Sequence, residues 1–156
     1  MANQKTPDQL KPIVEGSIDT AREDRARSVE SEHLLLTVLA QEQLTATKIL
    51  AAAGLDFSWW QQALERERIQ SLAAAGISIT DAPRIRAEHP SRPRWGASVK
   101  SCLKRGTAYS KVRGHRRMDD VDVVLGALDG RFDAVGRILN REHVDVATLR
   151  SKLLAA

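Results

Sequence analysis

"SEHLLLTVLAQ", Ser31 to Gln41, decides the fold of this chain. Ser31 is a good N-cap, and Glu32 falls in the first turn, where the helix dipole favours a carboxylate. Leu34, Leu35, Val38 and Leu39 then recur at i, i+1, i+4 and i+5, the stripe of a helix pressed on a core. Sliding the chain along itself by 89 residues brings Val123, Val124, Leu125 and Leu128 onto Leu34, Leu35, Leu36 and Leu39. The same helix occurs twice.

The alignment extends outward without a gap. Leu10, Ile13, Val14 and Ile18 meet Val99, Cys102, Leu103 and Thr107; Ile49-Leu50 meets Ile138-Leu139; Leu55-Asp56 meets Val144-Asp145; Leu64 meets Leu153. Each unit reads as four helices. The first unit has them from near Pro7 to about Arg25, Ser31 to about Gln41, about Thr45 to Ala53, and about Phe57 to Leu72. The second has them at roughly 95–112, 119–129, 132–140 and 146–155. Gly54 is placed to stop the third helix, and Pro12 lies in the first turns of its helix, where a missing N–H is tolerated. Between the units, "GISITDAPRIRAEHPSRPR" carries Pro83, Pro90 and Pro93 and reads as an extended connector. The expected fold class is all-α: repeat one at about 7–72, connector at about 73–94, repeat two at about 95–156. A short bundle cannot bury both faces alone, so the two units should pack into one pseudo-twofold domain.

Composition narrows the function. One cysteine excludes an internal disulfide framework and fits a reducing compartment. "MANQKTPDQLKP" has no apolar signal core, and no apolar run is long enough to span a bilayer, so the expected localisation is cytoplasmic. The net charge of +4 is unevenly spread: residues 84–117 hold eleven Lys or Arg against the single acid Glu88. That stretch makes nucleic-acid binding the alternative function, through Lys100, Lys104, Arg105, Lys111, Arg113, Arg116 and Arg117. No aromatic platform is interleaved with these cations and no helix-turn-helix is evident.

No catalytic constellation emerges. A phosphate-binding G-x-x-x-x-G-K-S/T loop is missing from the sequence. His33, His89, His115 and His143 are scattered without metal-ligand spacing, and Cys102 lies on an apolar stripe, where a buried thiol is expected. Capping suffices for Asp119, Asp120 and Asp122. The chain is expected to be no enzyme, with no catalytic residue, no metal site and no cofactor.

"ESEHLLLTVLAQEQLTATKILAAAGLD" closely resembles the signature segment of the N-terminal domain of Clp AAA+ unfoldases of the ClpA, ClpB and ClpC type. In that family a Gly-Thr-Glu-His-Leu-Leu-Leu-like stretch opens the second helix, a Gly-Leu-Asp-like end closes the third, and the domain is a tandem repeat of four-helix units. The match is stronger in the first unit. Family members often carry Gly-His before each second helix; the second unit keeps Gly114-His115, whereas the first has Arg25-Ala26. The Thr-Glu-His triplet becomes Asp120-Val121-Asp122 in the second unit, so Val121 stands where Glu32 stands in the first.

What the resemblance implies is a non-catalytic binding domain of Clp-dependent proteolysis. In ClpC-type domains the glutamate of the triplet receives phosphorylated arginine, its carboxylate pairing with the guanidinium. Carried over, the ligand-binding residues are Glu32, with Ser31 as a nearby hydroxyl, and Val121 cannot take that role. ClpC-type domains also place an aromatic followed five residues later by a lysine beside a groove used by adaptors and some cyclic-peptide antibiotics; Trp95 and Lys100 hold those positions. The expected partners are Clp unfoldase or protease components, adaptors or substrate proteins. The chain is then either a stand-alone regulator or decoy, or the docking domain of an unfoldase.

Overall fold

The computed structural model describes residues 9–77 and 92–156. Among them lie eight α-helices: α1 (Leu10–Glu23), α2 (Ser31–Leu39), α3 (Thr45–Ala52), α4 (Phe57–Ala74), α5 (Ala97–Val112), α6 (Asp120–Leu128), α7 (Ala134–Arg141) and α8 (Val146–Leu154). Two-residue strands β1 (Ser28–Val29) and β2 (Arg94–Trp95) pair in parallel, Ser28 with Arg94 and Val29 with Trp95.

The leucine stripe does what its spacing requires. Leu34, Leu35, Val38 and Leu39 are buried on α2, and Val123, Val124, Leu125 and Leu128 are buried on α6. These two apolar helices pack on each other at the centre. α2 also packs on α7, and α3 packs on α6; α4 packs on α7, and α3 packs on α8. Each of these contacts maps onto another when the 89-residue offset is applied, so a pseudo-twofold runs between α2 and α6. The all-α duplicated domain expected from the sequence is what the structure has.

Polar contacts fasten the repeats across this centre. Ser31 Oγ donates to Asp133 Oδ2 at 2.9 Å, and the Ala46 N–H donates to Asp120 Oδ2 at 2.8 Å. Asp120 therefore caps a helix, but it is α3 of the other repeat rather than its own. Ser98 donates to the Glu30 carboxylate from both its backbone N–H and its hydroxyl, putting an acid from repeat one at the start of α5. A Cβ at Gly96 would meet Glu30 Oε1 at 1.7 Å, so a side chain there would push the Glu30 carboxylate away from Ser98.

Element boundaries differ from the expectation at several helix ends. The N-cap of α2 is Glu30, with φ −116° and ψ 175° and its carbonyl accepting from the His33 and Leu34 N–H groups, so Ser31 is already helical and its hydroxyl goes to Asp133 instead. The first helix ends at Glu23, where Arg25 turns left-handed at φ 53°; Pro7 lies outside the described residues. The helix expected from residue 95 starts at Ala97, since Arg94 and Trp95 are taken by the β1–β2 pair. The helix expected from 132 starts at Ala134, because Asp133 caps it by accepting from the Gly136 N–H at 2.8 Å. Gly54 does terminate α3, at φ 80°. Of the connector expected at 73–94, residues 78–91 lie outside the described residues, and α4 reaches Ala74.

Candidate functional site

The pair Glu32-His33 has a divided task. Nδ1 of His33 accepts from the Glu30 N–H at 2.9 Å, which closes a capping interaction and leaves the ring proton on Nε2, 3.3 Å from Asp24 Oδ2. His33 is therefore the group that holds the start of α2. Glu32 is left over for other work, and among the described residues no other side chain hydrogen-bonds its carboxylate.

Glu32 opens onto a pocket of about 470 Å³ between the repeats. Its walls come from the starts of α2 and α5 and from the loop into α7: Glu30, Glu32, Ser98, Ser101, Arg105, Arg131, Phe132, Asp133 and Arg137 among them. Burial pushes the Glu32 carboxyl above its usual range; the neighbouring carboxylates of Glu30 and Asp133 push the same way, against the pull of His33 and of its own backbone hydrogen bond. Such a carboxyl gains by meeting a cation. On the facing wall, Nε of Arg105 donates to the Gly126 carbonyl at 2.8 Å, while its buried Nη2 has no hydrogen-bond partner among the described residues. Arg131 and Arg137 are exposed on the same rim, Arg137 already donating its Nε to Glu67 and its Nη1 to the Phe132 carbonyl. The pocket thus offers an underused acid opposite a group of guanidinium donors, the arrangement suited to a ligand that carries a positive and a negative group close together.

The sequence-predicted residues are distributed as follows. Glu32 lines the pocket; Ser31 is fully buried beneath it and fixes Asp133, a pocket residue, through its hydroxyl. Val121, the counterpart of Glu32, is 2% exposed and part of the core. Trp95 is 40% exposed on β2 and Lys100 is exposed on α5, and neither lines this pocket. Cys102 is buried, and burial raises its thiol to about 12, as an inert core residue should be.

Two features escaped sequence reasoning. Phe132 is 88% exposed at the pocket rim, and its signal was available: one of few aromatics, in a loop immediately before a capping aspartate. Glu67 on α4 had no local signal, because its partners Arg137 and Arg141 on α7 come from the other repeat. Burial alone would raise the Glu67 carboxyl, but hydrogen bonds from Arg137, Arg141 and Ser71 outweigh it and hold it below the usual carboxylate range. This clamp sets α7, and with it the Arg137 wall of the pocket.

The basic stretch is partly consumed. Arg84 and Arg86 lie outside the described residues. Arg113 Nη1 bonds Asp119 and Asp122 at 2.7 and 2.9 Å, and it occupies the place a cation would take between these acids and His115. Arg92, Arg94, Lys100, Lys104, Lys111, Arg116 and Arg117 are exposed.

No family model matches the chain, and no curated protein matches it either. Solved structures do. The chain is similar to the Hsp104 N-terminal domain from Candida albicans, at 12% identity over 94% of this chain and 87% of that one, with a TM-score of 0.62. It is similar to the N-terminal domain of the caseinolytic protease associated chaperone ClpD from Arabidopsis thaliana, at 14% identity over 99% of this chain and 96% of that one, with a TM-score of 0.65. At these identities the likeness speaks for the fold.

Proposed function

From the premise that the chain has the fold of Clp and Hsp104 N-terminal domains, we propose that it is a non-catalytic binding domain of Clp-dependent proteolysis, which receives phosphorylated arginine at Glu32. The observation that carries this reading is the Glu32 carboxyl, pushed up by burial and unpaired by any side chain among the described residues, in a pocket whose other wall is guanidinium donors. The guanidinium of phosphoarginine pairs with Glu32, and its phosphate faces Arg105 and Arg131. Ser31 contributes indirectly by fixing Asp133.

Trp95 and Lys100 form the second contact surface of this reading, for an adaptor or a cyclic peptide; both side chains are accessible. The chain acts either as a stand-alone regulator or decoy, or as the docking domain of an unfoldase. Nucleic-acid binding through 84–117 has weaker support, since Arg113 is held between Asp119 and Asp122. Calorimetric titration with phosphoarginine and with a peptide bearing it tests the reading: saturable binding is expected, abolished in Glu32→Ala while helicity is retained. Equal affinity in the variant would reduce Glu32 to a first-turn carboxylate.

A further inference from the structure

The second repeat fills a space that the first leaves open. In repeat two, Tyr109 on α5 donates its hydroxyl to Asp129, Arg150 Nη2 on α8 donates to Asp129 Oδ1 at 2.6 Å, and Arg105 Nε donates to the Gly126 carbonyl. The 89-residue offset puts Thr20, Ala40, Gln61, Gly16 and Thr37 at the positions of Tyr109, Asp129, Arg150, Arg105 and Gly126. All five line one groove of about 790 Å³ between α1, α2 and α4, a volume in the range of binding sites. At Gly16 the Thr37 methyl already takes the Cβ direction, at 2.7 Å, but along Thr20, Ala40 and Gln61 the groove of repeat one runs where repeat two carries an aromatic ring, a carboxylate and the Arg150 guanidinium.

The groove's own chemistry agrees. Phe57, Leu64 and Leu36 supply an apolar bed; of the five acids that line it, Glu65 is paired with Arg68 and Glu67 with Arg137 and Arg141, so the acid excess lies with Glu23, Asp24 and Glu32. Nη1 of Arg68 is buried without a hydrogen-bond partner among the described residues, a donor that wants a carbonyl. We propose that this groove docks a peptide segment presenting an unmodified arginine beside an aromatic or aliphatic side chain. The guanidinium meets the acidic rim, the apolar side chain lies on Phe57 and Leu64, and a peptide carbonyl accepts from Arg68. The acid excess selects against a phosphorylated arginine, which separates this site from the pocket on the other side of Glu32.

A fluorescein-labelled octapeptide with a Tyr-Arg-Leu core is the probe, read by anisotropy. Two variants rebuild the plug of repeat two: Ala40→Asp with Gln61→Arg, both at exposed positions, and Thr20→Tyr with Ala40→Asp. Saturable binding to the unaltered chain is expected, weakened about tenfold or more in either variant and by a citrulline in place of the peptide's arginine. Phosphoarginine binding should survive in both variants, so the two readings stand or fall separately. Lack of saturation at millimolar chain, equal affinity of the citrulline peptide, or full affinity in both folded variants overturns the proposal. Should a variant fail to fold, the citrulline comparison on the unaltered chain still decides.

Discussion

Residues 24 and 33 in the first repeat, and 113 and 122 in the second, are the same two places in a duplicated backbone, yet their chemistry is reversed. In repeat one the acid is on the loop and the ring on the helix, Asp24 facing His33; in repeat two the cation is on the loop and the acid on the helix, Arg113 facing Asp122. Both pairs hold the start of a central helix. The neighbouring position diverges further, with Glu32 open to a pocket and Val121 sunk in the core. The duplication thus keeps its capping geometry while leaving one copy of the position facing a pocket and closing the other into the core.

Breaking the buried pair should give the largest effect. Arg113 is 7% exposed and Asp122 is fully buried, so Arg113→Ala strands two carboxylates and should cost about 3 kcal/mol in chemical denaturation. Asp24→Ala, at the equivalent half-exposed position, should cost about 1 kcal/mol or less. Equal losses would erase the asymmetry between the repeats.

Next comes Glu67→Ala, which should cost about 2 kcal/mol at neutral pH, moderated by the exposure of its arginine partners. The folded carboxyl is held below its usual range, so its stabilisation is complete above that range and is lost as pH falls through the folded value. Melting temperatures of chain and variant should converge on acidification; a constant gap would mean packing, not charge, joins α4 to α7.

The smallest effect has the opposite sign. Burial raises the Glu32 carboxyl, so the folded state favours its protonated form, and that contribution is complete below the usual carboxyl range and lost as pH rises through the folded value. Glu32→Gln should therefore stabilise the chain at neutral pH, by less than about 1 kcal/mol, with the gain vanishing in acid. A helix-dipole carboxylate would behave in reverse, losing stability on neutralisation.

The helices were legible because their apolar positions recur twice, and Leu34, Leu35, Val38 and Leu39 announce a core face by spacing alone. Glu32 was singled out by its triplet, and the structure places it on the wall of a pocket. Boundaries were not legible, because Ser31, Asp120 and Trp95 take their roles from residues of the other repeat: Asp133, Ala46 and the β1 strand. Local propensity cannot see a partner 74 or 102 residues away. The Glu67 clamp was hidden for the same reason.

Titration calorimetry of phosphoarginine against the chain, Glu32→Ala and Val121→Ala tests most directly that recognition resides in one repeat. One site per chain, lost in Glu32→Ala and kept in Val121→Ala, is the expected result. Two sites per chain, or binding that survives Glu32→Ala and fails in a folded Val121→Ala, would contradict it.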